Sequence, residues 1–244
     1  MPGPGSSARP SYRPGPALPD PSSPFLDTLL PVGTRKLAAH ANPVTCVLLG
    51  RTGPLRLERD GRRVDGDILL VRPGVVHAVA LAERGADVLY LNGLAFPFDA
   101  PLAQVLGGAL AHLASDALRG DRYAMHELRA RLTASTPRLP TGVGEVVRAI
   151  YADPMQRMSQ AELALRLRME RTRALRCFKA ATGQTFREFK RWSALQQAAQ
   201  LMAGGTLVRT AAMDAGFADT AHLSRVFRQY FGLTPSAAIA GLGQ

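Results

Sequence analysis

The hydrophobic period changes partway along the chain, and this limits the possible folds more than any other feature. Between residues 25 and 99 the apolar residues come in short runs: Val44–Leu49, Leu55–Arg59, Ile68–Val71, Ala78–Leu81 and Val88–Leu91. The second of these alternates apolar with polar, the signature of a half-buried strand. Asp60–Gly61, Gly66–Asp67 and Pro73–Gly74 fall between the runs and are turn signals, Asp-Gly being a strong hairpin signal. Strands this short, spaced this evenly, predict a small sandwich or barrel. From residue 101 the period becomes that of a helix. Leu102, Val105, Leu106, Ala109, Leu110, Leu113 and Ala117 follow i, i+3, i+4 spacing and predict one helix ending near Gly120, with a second over 122–133. That stripe serves either as a dimerisation face or as core packing. Pro137 and Pro140 mark 134–142 as a linker.

Residues 143–244 read as all-helical. Ser159-x-x-Glu162 and Thr185-x-x-Glu188 have the capping-box pattern. Thr206 and Asp219 are expected N-caps, and Thr234–Pro235 places an N-cap before a first-turn proline. The helices predicted are about 143–152, 159–167, 171–182, 185–203, 207–215, 220–231 and 235–240. The fold class is therefore α+β: a small β domain, a helical segment over 101–133, and an all-α domain over 140–244.

Within the all-α part, 159–167 with 171–182 and 207–215 with 220–231 each read as a helix, a short turn and a helix, and 185–203 connects the pairs. In such a unit the second helix fits the major groove of DNA while the first braces it. Ala174, Cys177, Phe178 and Ala181 form the inward stripe of one second helix, and Leu223, Val226, Phe227 and Tyr230 that of the other. Thr172, Arg173, Leu175, Arg176 and Lys179 are left facing outward from the first. Thr220, Ala221, Ser224, Arg225 and Arg228 are left facing outward from the second. Arginine forks with small hydroxyls suit phosphates and base edges.

The charge distribution agrees. Residues 140–244 hold 14 Arg and Lys against 7 Asp and Glu, while 1–139 hold 16 against 12, for a net +11 overall. A basic balance suits nucleic acid or an anionic membrane surface without choosing between them. No apolar stretch is long enough for a membrane span, and Met1–Pro24 lacks the apolar run of a signal peptide. With eight prolines, that tail is expected to be disordered. The two cysteines, Cys46 and Cys177, fall in different domains, so no disulfide is expected and a cytoplasmic location is.

The residue pattern from 159 to 237 resembles the DNA-binding domain of the AraC/XylS family of bacterial transcription regulators. The resemblance rests on Ala181-Thr-Gly-Gln-Thr-Phe186, Ala211-Ala-Met-Asp-Ala-Gly-Phe217, Asp219-Thr-Ala-His-Leu-Ser-Arg-Val-Phe-Arg228 and Phe231-Gly-Leu-Thr-Pro235. It implies two recognition helices in successive major grooves of promoter DNA, with Arg176 and Arg225 as guanine contacts. The first unit departs from the family, with Arg168 in place of a turn glycine and Glu170 in place of a serine cap. Gly66-Asp-Ile-Leu-Leu-Val-Arg-Pro-Gly-Val-Val-His77 resembles the second motif of a cupin-like sensor barrel. That implies a small-molecule effector, with RNA polymerase and a second copy of the chain as further candidate partners. The paired histidines of the first cupin motif are absent.

His40 and His77 are weak candidates for an effector site; with Cys46 they are also the best set for a metal, but neither histidine has a ligand partner at sequence spacing. No metal, cofactor or enzymatic activity is expected. Two other readings are a cupin-type metal-dependent protein carrying a DNA-binding domain, and a nonspecific nucleic-acid binder. The latter would show steep salt dependence without sequence preference.

Overall fold

The computed structural model describes residues 24–97, 99–132, 139–153 and 158–240. The proline-rich tail, apart from Pro24, and most of the expected linker lie outside these residues.

The N-terminal part is two antiparallel sheets. β1 (Thr28–Val32), β8 (Ala86–Leu91), β3 (Thr45–Gly50), β6 (Ile68–Val71) and β9 (Ala103–Val105) form one, in that spatial order. β2 (Lys36–His40), β7 (His77–Ala80), β4 (Leu55–Arg59) and β5 (Arg62–Gly66) form the other. The small sandwich or barrel expected from the strand spacing takes the form of a five-stranded and a four-stranded antiparallel sheet. Cys46, Leu48, Leu69, Val71, Val88 and Tyr90 of the first pack on Leu37, Leu55, Leu57 and Val79 of the second. The reverse face of the first sheet is also covered. Val47, Ile68, Leu70, Leu89 and Leu91 lie under helices α1 (Gly108–Leu118) and α2 (Arg122–Leu132). Burial on both faces explains why β3, β6 and β8 read as unbroken apolar runs. β4 has one wet face and alternates, with Leu55 and Leu57 buried and Arg56 and Glu58 exposed. The β4–β5 turn is closed by Asp60 and Gly61, both left-handed at φ 47° and 71°, as the Asp-Gly pair predicts.

Residues 102–107 correct the expected single helix. Leu102, Val105 and Leu106 fit helical spacing, but β9 pairs with β6 and the chain turns at Gly107 and Gly108, the latter at φ 54°. Six residues at i, i+3, i+4 do not separate a short strand from a first helical turn. The Gly-Gly pair, a turn signal, is what starts α1 at residue 108.

The C-terminal part contains α3 (Thr141–Ala152), α4 (Gln160–Leu167), α5 (Arg171–Thr182), α6 (Phe186–Ala203), α7 (Val208–Asp214), α8 (Thr220–Phe231) and α9 (Pro235–Ala240). The expected caps at Ser159, Asp219 and Thr234 each accept a first-turn N–H. Thr185 and Glu188 form the full reciprocal box. Thr206 does not cap α7: Leu207 stands at the N-cap and makes no side-chain bond. α3, α4 and α5 pack Val143, Val147, Ile150, Leu163 and Phe178 around Phe186 and Phe189 of α6.

The β part and the second helical half share one core. Trp192 of α6 and Phe231 of α8 meet Tyr90 of β8 with ring centroids 5.4 and 5.2 Å apart. Among the described residues no helix is long and apolar enough to cross a membrane.

Candidate nucleic-acid interface

α4 and α5 form the first unit. α4 ends at Arg168, which is left-handed at φ 52°. The turn glycine missing from the sequence would have adopted this conformation freely; a residue with a Cβ pays about 1 kcal/mol or more. Glu170 takes over the role of the missing serine. Its carboxylate accepts the Arg173 N–H at 3.1 Å and starts α5. Bonds from the Thr172 and Arg173 amides hold that carboxyl below its usual range.

α5 buries Ala174 and Phe178, with Cys177 and Ala181 half-buried beside them. Thr172, Arg173, Arg176 and Lys179 are exposed on the other side. Leu175 is half-buried and packs partly on the α3–α6 cluster, so it presents less surface than its position alone predicts. The helix closes at Gly183, φ 75°.

α7 and α8 form the second unit. Asp219 opens α8 by accepting the His222 N–H at 2.6 Å. Leu223, Val226, Phe227 and Tyr230 are buried, while Thr220, Ala221, Arg225 and Arg228 are exposed and Ser224 half-exposed. His222 turns its ring onto Phe217, 5.3 Å between centroids, which accounts for its place between the two faces. Gly232 closes the helix at φ 71°. Among the described residues, Arg173, Arg176, Arg225 and Arg228 form no ion pair, whereas Arg166 on the bracing helix is paired with Glu162 at 2.9 Å. The two outward faces therefore each present two guanidiniums with no ion-pair partner among those residues. α6 carries both units: Phe189 anchors its first half in one core and Trp192, Leu195 and Met202 its second half in the other.

The weaker sequence candidates lie elsewhere. His40 and His77 are brought together across β2 and β7, ring centroids 4.4 Å apart. Strand register, invisible in sequence spacing, makes this pair. Each Nδ1 lies 2.8 Å from the carbonyl two residues earlier, Ala38 and Val75. Burial lowers the pKa of both, His40 to about 4. Cys46 does not join them. Its thiol donates to Asn42 Oδ1 at 3.4 Å, and burial pushes its pKa up to about 12. Among the described residues no three His, Cys, Asp or Glu side chains gather at a metal-binding distance. Two imidazoles fall short of the three protein ligands of a catalytic zinc site, so the residues described do not fit a cupin metal. His77 lines an open groove of about 410 Å³, together with Arg59, Arg62, Arg63 and Val76 at the β4–β5 hairpin.

A family model described as a helix-turn-helix domain matches residues 163–240. No curated protein matches the chain. Among solved structures, ToxT from Vibrio cholerae O395 is similar over 88% of this chain and 96% of its own, at 13% identity and a TM-score of 0.59. Wild-type ToxT from Vibrio cholerae strain SCE256, bound to an unsaturated fatty acid, is similar over 87% and 93%, at 12% identity and a TM-score of 0.52. These likenesses establish the fold: a β domain followed by a helical domain with two helix-turn-helix units.

Proposed function

We propose that this chain, whose C-terminal part is a helix-turn-helix domain of the AraC type, is a sequence-specific DNA-binding transcription regulator. The observation that carries the reading is the pairing of two capped recognition helices on one connecting helix, each with an exposed, unpaired arginine face. In this reading α5 and α8 enter successive major grooves. Thr172, Arg173, Arg176 and Lys179 contact one segment of duplex, with Leu175 against a thymine methyl. Thr220, Ala221, Ser224, Arg225 and Arg228 contact the next. Arg176 and Arg225 reach guanine edges; the remaining cations and hydroxyls hold phosphates and set register.

The β domain, 25–99, is read as the sensor, with 101–133 joining it to the DNA-binding part, 140–244. A small-molecule effector is in keeping with a fold shared with a protein that has been seen with a fatty acid bound. Such a ligand would act only through a difference in affinity between two conformations. Contact with RNA polymerase, self-association and a cytoplasmic location belong to the same reading.

The test is selection from random duplex DNA by the full chain, with affinity followed against salt. Enrichment of two base clusters about one helical turn apart is expected. Binding that falls steeply with salt and enriches nothing would establish a nonspecific binder instead.

A further inference from the structure

The second recognition helix does not end in solvent. Every α-helix leaves its last carbonyls without intrahelical donors, and here the β domain supplies them. Ala38 N–H donates to Gly232 O at 2.9 Å and Ala41 N–H to Gln229 O at 3.4 Å. Asn42 Nδ2 donates to Tyr230 O at 2.5 Å. These donors sit on β2, an edge strand, and on the turn that follows it. α8 is therefore docked on the sheet edge through its main chain. Asn42 is buried, and its Oδ1 accepts the Cys46 thiol, so its orientation is set from within the β domain.

Gly232 completes the contact. A Cβ at this position would lie 2.5 Å from Ala38 O and 2.6 Å from His40 Nδ1. The first unit provides an internal comparison: Gly183 closes α5 in the same left-handed conformation, and a Cβ there would meet nothing within 4 Å. Below the contact, Trp192 packs on Tyr90, Tyr230 and Phe231. Docking leaves Thr220, Ala221, Arg225 and Arg228 exposed. It holds the reading face and does not cover it.

We infer that the β domain is a positioning element for the second recognition helix. Asn42 and Gly232 fix the direction of α8, and the second half of a two-cluster DNA site is read only in the docked state. The inference rests on the DNA-binding reading above and deepens it. It gives the β domain a role in base recognition that needs no effector, and it locates the surface at which conformational control of the second unit would act.

Trp192 is the single tryptophan of the chain, so its emission reports docking. Full-length Gly232→Ala, Gly183→Ala and Asn42→Leu proteins are compared with the unmodified chain in emission and helix content. Each is then titrated with the selected duplex and with two derivatives, each having one cluster scrambled. The two glycine substitutions carry the same left-handed strain, so the difference between them isolates the interdomain contact. Asn42→Leu removes the side-chain bond without straining the backbone.

Gly232→Ala and Asn42→Leu are expected to shift Trp192 emission to the red with helix content retained. Affinity for the intact duplex should fall about tenfold or more, the size of a lost base contact. Scrambling the second cluster should then cost nothing further, while scrambling the first still does. Emission unmoved in both variants, a Gly232→Ala loss equal to that of Gly183→Ala, or shifted emission with sensitivity to the second cluster undiminished would each overturn the inference. An unmodified chain that enriches no motif would overturn the DNA-binding reading instead.

Discussion

Trp192 Nε1 donates a 2.9 Å hydrogen bond to Oδ1 of Asn92, a hundred residues earlier in the chain. This bond joins α6, the connecting helix of the two helix-turn-helix units, to the end of β8, within a larger buried polar cluster. Arg129 of α2 grips both carboxylate oxygens of Asp27 at 2.8 Å and donates to the Asn92 carbonyl. Asn92 Nδ2 donates to Leu26 O, and Gln196 of α6 donates to Thr28 Oγ1. The residues leading into β1, the end of β8, α2 and α6 all meet here. The charged members neutralise each other and nearly all the donors are used, which is what makes burial of this cluster tolerable.

Breaking the ion pair from one side leaves a buried charge behind. Asp27→Ala is expected to cost about 3–5 kcal/mol, seen as a lower midpoint in urea unfolding. Asp27→Ala combined with Arg129→Leu should recover part of the loss. A double variant no more stable than the single one would mean that the pair is not the source of the penalty.

Arg225→Ala should cost about 1–3 kcal/mol in affinity for the selected duplex and relax preference at one base position of the second cluster. The thermal midpoint should stay near that of the unmodified protein, because the side chain is exposed and unpaired. Unchanged preference in a repeated selection would remove Arg225 from the reading set.

Arg168→Gly relieves the one left-handed non-glycine conformation among the described residues of the helical part. A gain of about 1 kcal/mol is expected, read as a higher melting temperature. Nonspecific affinity at low salt, followed in the same samples, is expected to decrease slightly from the lost charge. A lower melting temperature would show that Arg168 makes a stabilising contact that outweighs the strain.

The buried pair His40 and His77 makes stability depend on pH. Both fold with lowered pKa, so the unfolded chain binds protons that the folded chain refuses. Stability is full above the unfolded value of 6.5 and is lost as pH falls from there toward about 4, the folded value of His40. For His40 alone the loss between pH 7 and 5 is roughly 2 kcal/mol, with His77 adding in the same direction. Chemical unfolding of the unmodified chain and of His40→Gln at both pH values checks this: the variant should lose less.

The helical half was largely legible in the sequence because its signals are local. Ser159, Thr185 and Asp219 cap where the pattern placed them, and a 3.6-residue stripe sorted α5 and α8 into buried and exposed faces. Periodicity places Leu175 outside the inward stripe but does not reveal the neighbours that half-cover it. The β half was harder. β1, β2, β5 and β9 are edge strands or charged strands: Pro31 sits in β1, and β5 reads Arg-Arg-Val-Asp-Gly. Edges take such residues because one side of the strand has no ladder to satisfy, and this erases the apolar pattern a reader relies on. The His40–His77 pair and the junction of Asn42 with Tyr230 span 37 and 188 residues. No spacing rule brings such positions together; strand register and domain docking do.

The sharing of carbonyls between α8 and β2 also bears on how the sequence can drift. An added or deleted residue in the turn at 41–44 would alter the aim of the helix proposed to read bases, so a change of length there would alter operator preference. The Asp60–Gly61 turn lies at the far edge of the same sheet, away from α8. Length variation there leaves the reading helix undisturbed, so lineages carrying this fold should accumulate insertions at the hairpin and keep the turn at 41–44 fixed in length.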